Sequence, residues 1–396
     1  MSTADVDPHK LWLETPLLYS SHISARLGCN AYLKLENLQP SQSFKYRGIS
    51  YFIQDALRQH GPEVHLVIAS GGNAGLAAAC ASKALGLRCT VYLPEGVGAS
   101  TIQFMKREGA EIVTVGKFYL QALRKAEEVV KADPNAVMVP AYDEYLLWEG
   151  HGSMIPEISR QLPPGTKPDA IVCSVGGGGL AGGVMHGCKS IGWADVSFIA
   201  VETTGSNCFY QSLAVNPGVF PMTSTPPEGV RVEHDAAYDV KVAHLSTLSS
   251  RASSLGASSP AAGIVKMALE RKGRIKSVCV PDEMTMQAAA LFAGLCSIFS
   301  ARLRPAHPRI LIEEHKFLVE LACSATLAPA YKPDLFNKLV PTSSTIPRTV
   351  VFIVCGGFKI SPEEMEGYSR VVESEVKQGG SWKVLCNGEQ WDVEKI

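Results

Sequence analysis

A lysine flanked by an aromatic and small polar residues, and followed by Arg-Gly, is the first place in this sequence where side chains could do chemistry. Lys45 stands in the stretch Ser-Gln-Ser-Phe-Lys-Tyr-Arg-Gly at 41–48. A lysine amine is nucleophilic only when it has lost its proton, and burial against apolar groups lowers its pKa. Such an amine can form a Schiff base with a carbonyl compound. Because most lysines lie at the protein surface, this interpretation needs support from elsewhere in the chain.

A glycine-rich turn at 70–75, with the sequence Ser-Gly-Gly-Asn-Ala-Gly, offers an anion-binding site. It joins a predicted strand at 65–69 to a predicted helix at 74–85. Open α/β sheets bind ligands at the carboxyl ends of their strands, where free helix N–H groups attract anions. A substrate carboxylate fits Ser70, Gly71, Gly72 and Asn73, and Asn73 could also reach a cofactor oxygen. The alternative is a tight turn that needs glycine only for a positive φ.

Four consecutive glycines form a second turn between a strand and a helix: Gly176, Gly177, Gly178 and Gly179. Ordering them costs chain entropy, of the order of 1 kcal/mol per residue relative to alanine at worst. Consecutive backbone N–H groups that surround an anion can offset this cost, since each charge-assisted bond contributes about 1.5–3 kcal/mol. The run therefore predicts a phosphate-binding turn.

The same segment supports a different class of function. Gly177, Gly179 and Gly182 follow the spacing of the dinucleotide-binding fingerprint, and Glu202 ends the next predicted strand about 20 residues later. This pattern is typical of a nicotinamide-dependent oxidoreductase, in which the carboxylate binds a ribose. That interpretation leaves Lys45 and the turn at 70–75 without a role.

The composition indicates a globular protein of about two domains. The chain has 396 residues, of which 46% are hydrophobic and 19% charged. These values exclude a disordered or fibrous chain. The net charge of −1 gives no electrostatic reason to expect nucleic acid or an anionic membrane as partner.

The location that we expect is the cytoplasm. The first ten residues are polar and acidic, unlike a signal peptide, and no apolar run approaches the roughly 20 residues that span a bilayer. The eleven cysteines stand singly, without metal-ligand spacing, as in reduced cytoplasmic proteins.

The elements that must position these residues alternate between strands and helices, which predicts an α/β fold with parallel sheets. Boundaries near 40 and 145 predict a small domain at 41–145, inserted into a large domain formed by 1–40 and 146–396. We expect one helix at 146–162, a surface loop at 216–235 because it is rich in proline, glycine and threonine, and a final strand at 348–354.

Seven motifs together resemble the fold-type II pyridoxal phosphate (PLP) enzymes, specifically the L-serine/L-threonine dehydratases. They are PSxSFKxRG at 40–48, SGGNAG at 70–75, WEGH at 148–151, SVGGGGL at 174–180, VET at 201–203, SLGA at 254–257 and VCGG at 354–357. The resemblance implies the two-domain, open parallel-sheet fold of tryptophan-synthase-β-like enzymes and a homodimer. It also implies elimination of water and ammonia from L-serine, giving pyruvate, with L-threonine giving 2-oxobutanoate as a second reaction. Other eliminating or β-replacing enzymes of this fold remain alternatives.

The resemblance also implies a role for individual residues. Lys45 would carry the PLP, with Phe44 and Ser254 on the two sides of its ring, Asn73 at the ring oxygen and Cys355 facing the ring nitrogen. The phosphate would bind the four glycines and Leu180, and the substrate carboxylate would bind residues 70–73. A monovalent cation such as potassium would bind Glu202, Ser206, Cys208 and the carbonyl oxygens of Leu255 and Ala257.

Cys355 makes chemical sense at the ring nitrogen. A thiol is a weak partner for that nitrogen, whereas a carboxylate would keep it protonated. A neutral ring withdraws electrons less strongly, which favours loss of the β-hydroxyl over prolonged stabilisation of the carbanion. An ordinary buried thiol is the alternative.

Two features depart from the family pattern. Lys359 places a charge close to the expected cofactor site, where the family more often has a neutral residue. Residues 294–312 have no family counterpart and separate two segments that are otherwise continuous. They represent either a surface loop or, as an alternative hypothesis, a retained intron translated in frame. Sequencing the mature transcript distinguishes these two possibilities.

Overall fold

The computed structural model describes residues 10–221, 225–271, 274–294, 315–342 and 347–396. Most of the predicted insertion, residues 295–312, lies outside the described residues. The strands are β1 Leu17–Tyr19, β2 Asn30–Leu35, β3 His65–Ala69, β4 Arg88–Leu93, β5 Glu111–Thr114, β6 Ala136–Met138, β7 Ala170–Ser174, β8 Ser197–Thr203, β9 Val230–Asp235, β10 Val240–Leu245, β11 Ile275–Val280, β12 Thr349–Val354, β13 Ser381–Cys386 and β14 Glu389–Glu394.

The α-helices of the described residues connect these strands. They are α1 Ser21–Leu27, α2 Lys45–His60, α3 Asn73–Leu85, α4 Ala99–Arg107, α5 Tyr119–Ala132, α6 Tyr145–Gly152, α7 Met154–Gln161, α8 Gly179–Ser190, α9 Cys208–Ala214, α10 Ala262–Glu270, α11 Asp282–Phe292, α12 Leu321–Leu327, α13 Pro333–Leu339 and α14 Pro362–Gln378. The predicted single helix at 146–162 is therefore wrong, because the chain forms two short helices that meet at Ser153.

A large mixed sheet carries most of the site. Its strand order is β1-β2-β12-β7-β8-β11-β13-β14. The central strands β2, β12, β7, β8 and β11 pair in parallel, and the strands at both edges pair antiparallel. All residues of β7 and β12 are buried, as expected for strands that helices cover on both faces. Parallel pairing places the carboxyl ends of these strands at one edge of the sheet, where ligands bind in open α/β folds.

A smaller sheet holds the turn at 70–75. Its four strands, in the order β5-β4-β3-β6, are all parallel and all lie between residues 65 and 138. The strands of the large sheet come from before and after this segment. This division is compatible with an inserted domain at 41–145, whose boundaries stay a prediction.

Two predictions about the second half of the chain were wrong. The segment predicted as a surface loop at 216–235 ends in β9, which pairs with β10 in a two-stranded sheet. The strand at 349–354 is not the last, since α14 and the hairpin of β13 and β14 follow it and extend the large sheet. Asn387 and Gly388 both adopt positive φ in the turn of that hairpin. An Asn-Gly pair between alternating strands is a strong hairpin signal that the prediction overlooked.

Within the described residues, no helix combines the length and the apolar character that are needed to cross a membrane.

Candidate active site

The loop before α2 is fixed to the turn that follows β12. The Phe44 amide donates to the carbonyl oxygen of Cys355 at 3.0 Å, and the Gly357 amide donates to the carbonyl oxygen of Gln42 at 2.8 Å. A bridge between Ser43 and Gly356 lies between these two bonds. Lys45 then begins the helix. The contact therefore brings Lys45 and Cys355 together, although they lie far apart in the sequence.

The Lys45 amine is desolvated and lacks an acidic partner. It donates to the carbonyl oxygen of Ala141 and lies 5.4 Å from the centre of the Phe44 ring. Among the described residues, no carboxylate lies within ion-pairing distance of it. Burial lowers the pKa of Lys45 to about 8, and the Cys355 thiol opposes this only in part. Roughly a tenth of the amine is therefore unprotonated at pH 7, far more than for an ordinary lysine, and a base or nucleophile needs this form.

A buried histidine, His151, contacts the segment around Lys45 through Phe44 and Gly48. His151, from the WEGH motif, accepts a hydrogen bond from the Gly48 amide at its Nδ1, and its ring contacts Phe44 edge to face with 4.8 Å between centres. Its Nε2 has no hydrogen-bond partner in the described structure. Burial lowers the pKa of His151 well below its ordinary value, and the nearby Lys45 and Arg47 charges lower it further. The imidazole is therefore neutral and adds no positive charge beside Lys45.

The turn at 70–73 lies between β3 and α3, as predicted. The Gly72 amide donates to the Ser70 hydroxyl at 3.3 Å, and Asn73 begins the helix. The Asn73 amide group donates to Glu320 at 3.2 Å, and its oxygen accepts from the Phe358 amide at 3.4 Å. Asn73 therefore links the small sheet to the turn after β12.

The four-glycine turn lies between β7 and α8, and its amides are free. Within the described residues, the N–H groups of Gly176, Gly177 and Gly178 donate no hydrogen bond. Gly178 has φ of +98°, and a Cβ on Gly177 would stand 2.5 Å from the Tyr142 ring. Side chains would therefore close this turn. Three adjacent free donors in a turn that tolerates no Cβ fit a phosphate.

Cys355 ends β12 in a buried setting of small polar groups. Its sulfur lies 3.6 Å from the hydroxyl of Ser174, which ends the neighbouring strand β7. The Gly356 amide donates to the sulfur of Cys323 at 3.3 Å. No carboxylate takes part in these contacts, which is compatible with a neutral partner for a ring nitrogen.

Glu320 is a site residue that the sequence analysis missed. Its carboxylate accepts hydrogen bonds from the Ser254 hydroxyl at 2.6 Å, from the Asn73 amide group and from the Lys359 backbone amide at 2.8 Å. Burial raises the pKa of Glu320, while these donors and the Lys359 charge oppose that shift. Its three partners, Asn73, Ser254 and Lys359, lie far away in the sequence, so no local pattern marks Glu320.

The residues of the predicted cation site lie around the beginning of α9. The Glu202 carboxylate is fully buried and accepts hydrogen bonds from the Phe209 and Tyr210 amides at 2.9 and 2.7 Å. Burial raises the pKa of Glu202 well above its ordinary value, although these bonds oppose the shift. The Ser206 hydroxyl is buried without a partner in the described structure, and the Cys208 thiol donates to the carbonyl oxygen of Gly176 at 3.7 Å.

Of the two remaining members of the predicted set, Leu255 lies beside the four-glycine turn, and the Ala257 amide donates to the Leu255 carbonyl oxygen at 2.8 Å. A Cβ on Gly176 would stand 3.0 Å from the backbone of Leu255. Leu180 is buried in the first turn of α8.

The Glu202 side chain is fully buried, so it cannot reach a ribose in the open cleft. This burial argues against the dinucleotide interpretation.

Contacts connect the Lys45 loop with the four-glycine turn and with the segment around Ser254. Lys45 bonds to Ala141, whose neighbour Tyr142 packs on Gly177, while Ser254 bonds to Glu320 and lies next to the Leu255 backbone. The Lys45 amine with its lowered pKa fits the aldehyde of PLP, the three free turn amides fit the phosphate, and the Cys355 thiol, which has no acidic neighbour among the described residues, fits the ring nitrogen. The residues present therefore suit this cofactor.

Comparison with known proteins agrees with this geometry. The family model described as "Pyridoxal-phosphate dependent enzyme" matches residues 10–356. A human protein named serine dehydratase-like is 36% identical over 357 residues, covering 89% of this chain and 92% of that protein. A bovine L-serine dehydratase/L-threonine deaminase is 35% identical, with 89% and 93% covered. The solved structure of a fungal L-serine ammonia-lyase from Rhizomucor miehei superposes with a TM-score of 0.74 at 28% identity, covering 91% of this chain and 99% of that one.

These matches confirm the fold class and the family resemblance that the seven motifs predicted. The match spans β1 to the turn after β12, so it includes Lys45, both glycine turns and Cys355. This chain belongs to the pyridoxal-phosphate-dependent enzyme family.

Proposed function

We propose that this chain is a PLP-dependent lyase that converts L-serine to pyruvate and ammonia, with L-threonine to 2-oxobutanoate as a second reaction. The observation that carries the proposal is the Lys45 amine. The amine is desolvated and free of any carboxylate partner in the described structure, and the loop before Lys45 is fixed to the Cys355 turn. The names of the human, bovine and fungal relatives support serine as the substrate.

We assign the cofactor contacts from the family resemblance. Lys45 would hold the aldehyde carbon, Phe44 and Ser254 would flank the ring, and Asn73 would reach the ring oxygen. Cys355 would face the ring nitrogen, and the amides of the four glycines and Leu180 would hold the phosphate. The bound cofactor supplies an electron sink that acidifies the Cα–H bond of the substrate.

The protein's own residues then orient the substrate and move one proton. The amides and the hydroxyl of the turn at 70–73 bind the α-carboxylate, and this places Cα within reach of Lys45. The Lys45 amine, with a pKa of about 8, removes the Cα proton at neutral pH. The β-hydroxyl leaves as water, and uptake of one water during release of ammonia yields pyruvate. The net reaction is therefore serine to pyruvate plus ammonia.

The direct test is pyruvate release from L-serine by the purified holoenzyme, followed through lactate dehydrogenase. Its visible absorption spectrum is recorded in parallel, because PLP attached to the protein absorbs there and a nicotinamide does not. Pyruvate formation with a visible band supports the proposal. A colourless protein that binds a nicotinamide would instead favour the dehydrogenase alternative.

We further propose that Glu202, Ser206, Cys208, Leu255 and Ala257 bind a monovalent cation. The buried carboxylate and the unpartnered Ser206 hydroxyl support this assignment, since both would gain from an oxygen-seeking ion. We expect faster pyruvate release in potassium than in sodium at matched ionic strength, and a weaker difference in Glu202→Gln. Equal rates in both salts would leave Glu202 only its role as acceptor for the first amides of α9.

The assembly and location are also proposals. We propose a cytoplasmic homodimer that acts on free amino acids and binds neither nucleic acid nor membranes. The exposed Leu18 and Tyr19 on the edge strand β1 support self-association, because apolar side chains on an unpaired edge favour burial. Light scattering of the purified protein measures the oligomeric state directly.

A further inference from the structure

Lys359 extends from the turn after β12 toward the turn that we assign to the substrate carboxylate. Its backbone amide is held by Glu320 at 2.8 Å. Its Nζ lies 3.6 Å from the position that a Cβ on Gly72 would occupy, and the Ser70 hydroxyl lies 3.9 Å from the same position. Across residues 10–221, 225–271, 274–294, 315–342 and 347–396, this ammonium forms no ion pair. An ammonium that forms no direct ion pair in the described residues, and acts on Glu320 only at longer range, therefore faces the carboxylate turn.

Lys359 also lines a cavity of about 420 Å³. This cavity lies between α4 and the turn after β12, and its lining includes Thr101, Arg251, Glu320 and Tyr368. Its volume lies in the range of sites that hold whole small-molecule ligands. Substrate side chains as small as those of serine and threonine would leave much of it unfilled.

The cavity is lined by two carboxylates, which already accept hydrogen bonds, and by two cations, Arg251 and Lys359. The Glu320 carboxylate already accepts hydrogen bonds from Ser254 and Asn73, and the Glu364 carboxylate accepts from the Ser361 amide in the capping box of α14. By contrast, the Arg251 and Lys359 side chains donate no hydrogen bond within the described part of the chain, and Lys359 acts on Glu320 through its charge without a direct ion pair. An anionic ligand group would give both cations a partner.

We propose that Lys359 and this cavity form a subsite for an anionic group on the β-carbon of the substrate. The chain would then also act on 2-amino acids that carry a second carboxylate beside the β-hydroxyl. This inference rests on the proposed function, because the turn at 70–73 must hold the α-carboxylate. The second carboxylate is attached only one carbon further along the substrate, and Lys359 approaches Gly72 from the cavity. Its ammonium reduces the repulsion between the two carboxylates.

The reaction on such a substrate balances in the same way as on serine. The Cα proton is removed, the β-hydroxyl leaves as water, and one water is taken up as ammonia is released. L-threo-3-hydroxyaspartate would therefore give oxaloacetate and ammonia, with no oxidant or reductant required.

The test compares L-threo-3-hydroxyaspartate with L-serine in four holoenzymes. They are the wild type, Lys359→Met, which keeps the length but removes the charge, Lys359→Arg, which keeps the charge, and the surface control Lys131→Met. Oxaloacetate is followed through malate dehydrogenase and pyruvate through lactate dehydrogenase. We expect Lys359→Met to lower the ratio of kcat/KM for hydroxyaspartate over serine by roughly tenfold or more. Lys359→Arg should restore most of that ratio, and Lys131→Met should leave it unchanged.

A binding measurement separates this subsite from the reaction. L-aspartate and L-alanine lack the β-hydroxyl, so calorimetry on the holoenzyme reports binding without turnover. We expect wild-type protein to bind L-aspartate more tightly than L-alanine, and Lys359→Met to lose that preference. If the preference is found but serine is not turned over, the subsite stands and the proposed function fails. Two results would overturn the subsite: equal binding of both amino acids by the wild type, or equal losses for serine and hydroxyaspartate in Lys359→Met.

Discussion

Lys45 and Arg47 lie two residues apart in the first turn of α2, and both carry their charged ends into the protein. Arg47 is fully buried and bonds to Glu36 and Glu157, and Lys34 bonds to Glu157 as well. Lys45 has only a carbonyl oxygen for its amine. Two neighbouring cations on one helix therefore differ in their partners: Arg47 is paired with buried carboxylates, and Lys45 is not.

The pKa values express this difference. Burial by itself would lower the pKa of Arg47, but Glu36 and Glu157 outweigh it and hold that pKa above its ordinary value. Burial also opposes ionisation of Glu157, yet Arg47 and Lys34 lower its pKa to about 2. Lys45 has no such compensation, and its pKa falls to about 8. The paired cation stays charged and holds structure together, whereas the unpaired cation becomes available for chemistry.

Removing the unpaired amine should have the largest effect. We expect Lys45→Ala to lower pyruvate formation by at least about 10³-fold, because it removes both the covalent attachment and the base. The visible absorption of attached cofactor should disappear, while the circular dichroism spectrum stays close to that of the wild type. Appreciable turnover by this variant would exclude Lys45 from the mechanism.

Removing the paired cation should mainly change stability. We expect Arg47→Met to lower the free energy of unfolding by about 3–5 kcal/mol, because it leaves Glu36 and Glu157 buried with too few partners. The matched control is Arg160→Met, which breaks an exposed ion pair with Glu14 and should cost less than about 1 kcal/mol. Urea unfolding measures both. Equal costs would mean that burying the ion-pair cluster of Arg47, Lys34, Glu36 and Glu157, here called the Arg47 cluster, adds no stability.

The two settings also predict different pH dependence. The folded pKa of Lys45, about 8, lies below its ordinary value of 10.5, so the unfolded chain binds this proton more tightly. The stability of the cofactor-free protein should therefore rise from about pH 8 to about pH 10.5, by at most about 1.4 kcal/mol per pH unit. Lys45→Met should lack this rise, and the rate of PLP reattachment to the wild type should increase through about pH 8. A pH profile identical in both proteins would contradict the lowered pKa.

The smallest expected effects concern two buried hydroxyl groups, one beside Arg47 and one beside Lys45. The Thr15 hydroxyl donates to Glu36 at 2.6 Å inside the Arg47 cluster, whereas the buried Ser43 hydroxyl beside Lys45 has no partner in the described structure. We expect Thr15→Val to cost about 1–3 kcal/mol of unfolding free energy, because a charged acceptor loses its donor. Ser43→Ala should change it by less than about 0.5 kcal/mol. A larger cost for Ser43→Ala would show that this hydroxyl has a partner in solution.

The sequence predicted those parts of the site in which a local pattern determines the structure. The turns at 70–75 and 176–179 each join an apolar strand to a helix, so their place at the sheet edge follows from short-range order. The family resemblance and fold class were confirmed by the matching family model and the fungal structure. The specific roles of the site residues stay predictions that the variants above can test.

What the sequence did not predict depends on contacts between distant segments. Glu320 is a single acid in an apolar stretch, and only the fold brings Asn73, Ser254 and Lys359 around it. The Arg47 cluster likewise draws Glu36 and Glu157 from separate elements. No spacing rule relates such residues, because their proximity arises from the packing of helices onto sheets.

The position of β12 in the large sheet has a consequence for how the protein is made. This strand lies between β2 and β7, and the turn after it holds the Lys45 loop in place. On a ribosome, the first third of the chain emerges long before residues 349–357 exist, so β2 must wait with one side unpaired. Sheets that depend on such distant pairings form slowly and expose strand edges meanwhile. A nascent chain arrested before residue 349 should therefore be a strong chaperone client, whereas one whose residues 349–357 have left the ribosome can pair β12 with β2 and β7.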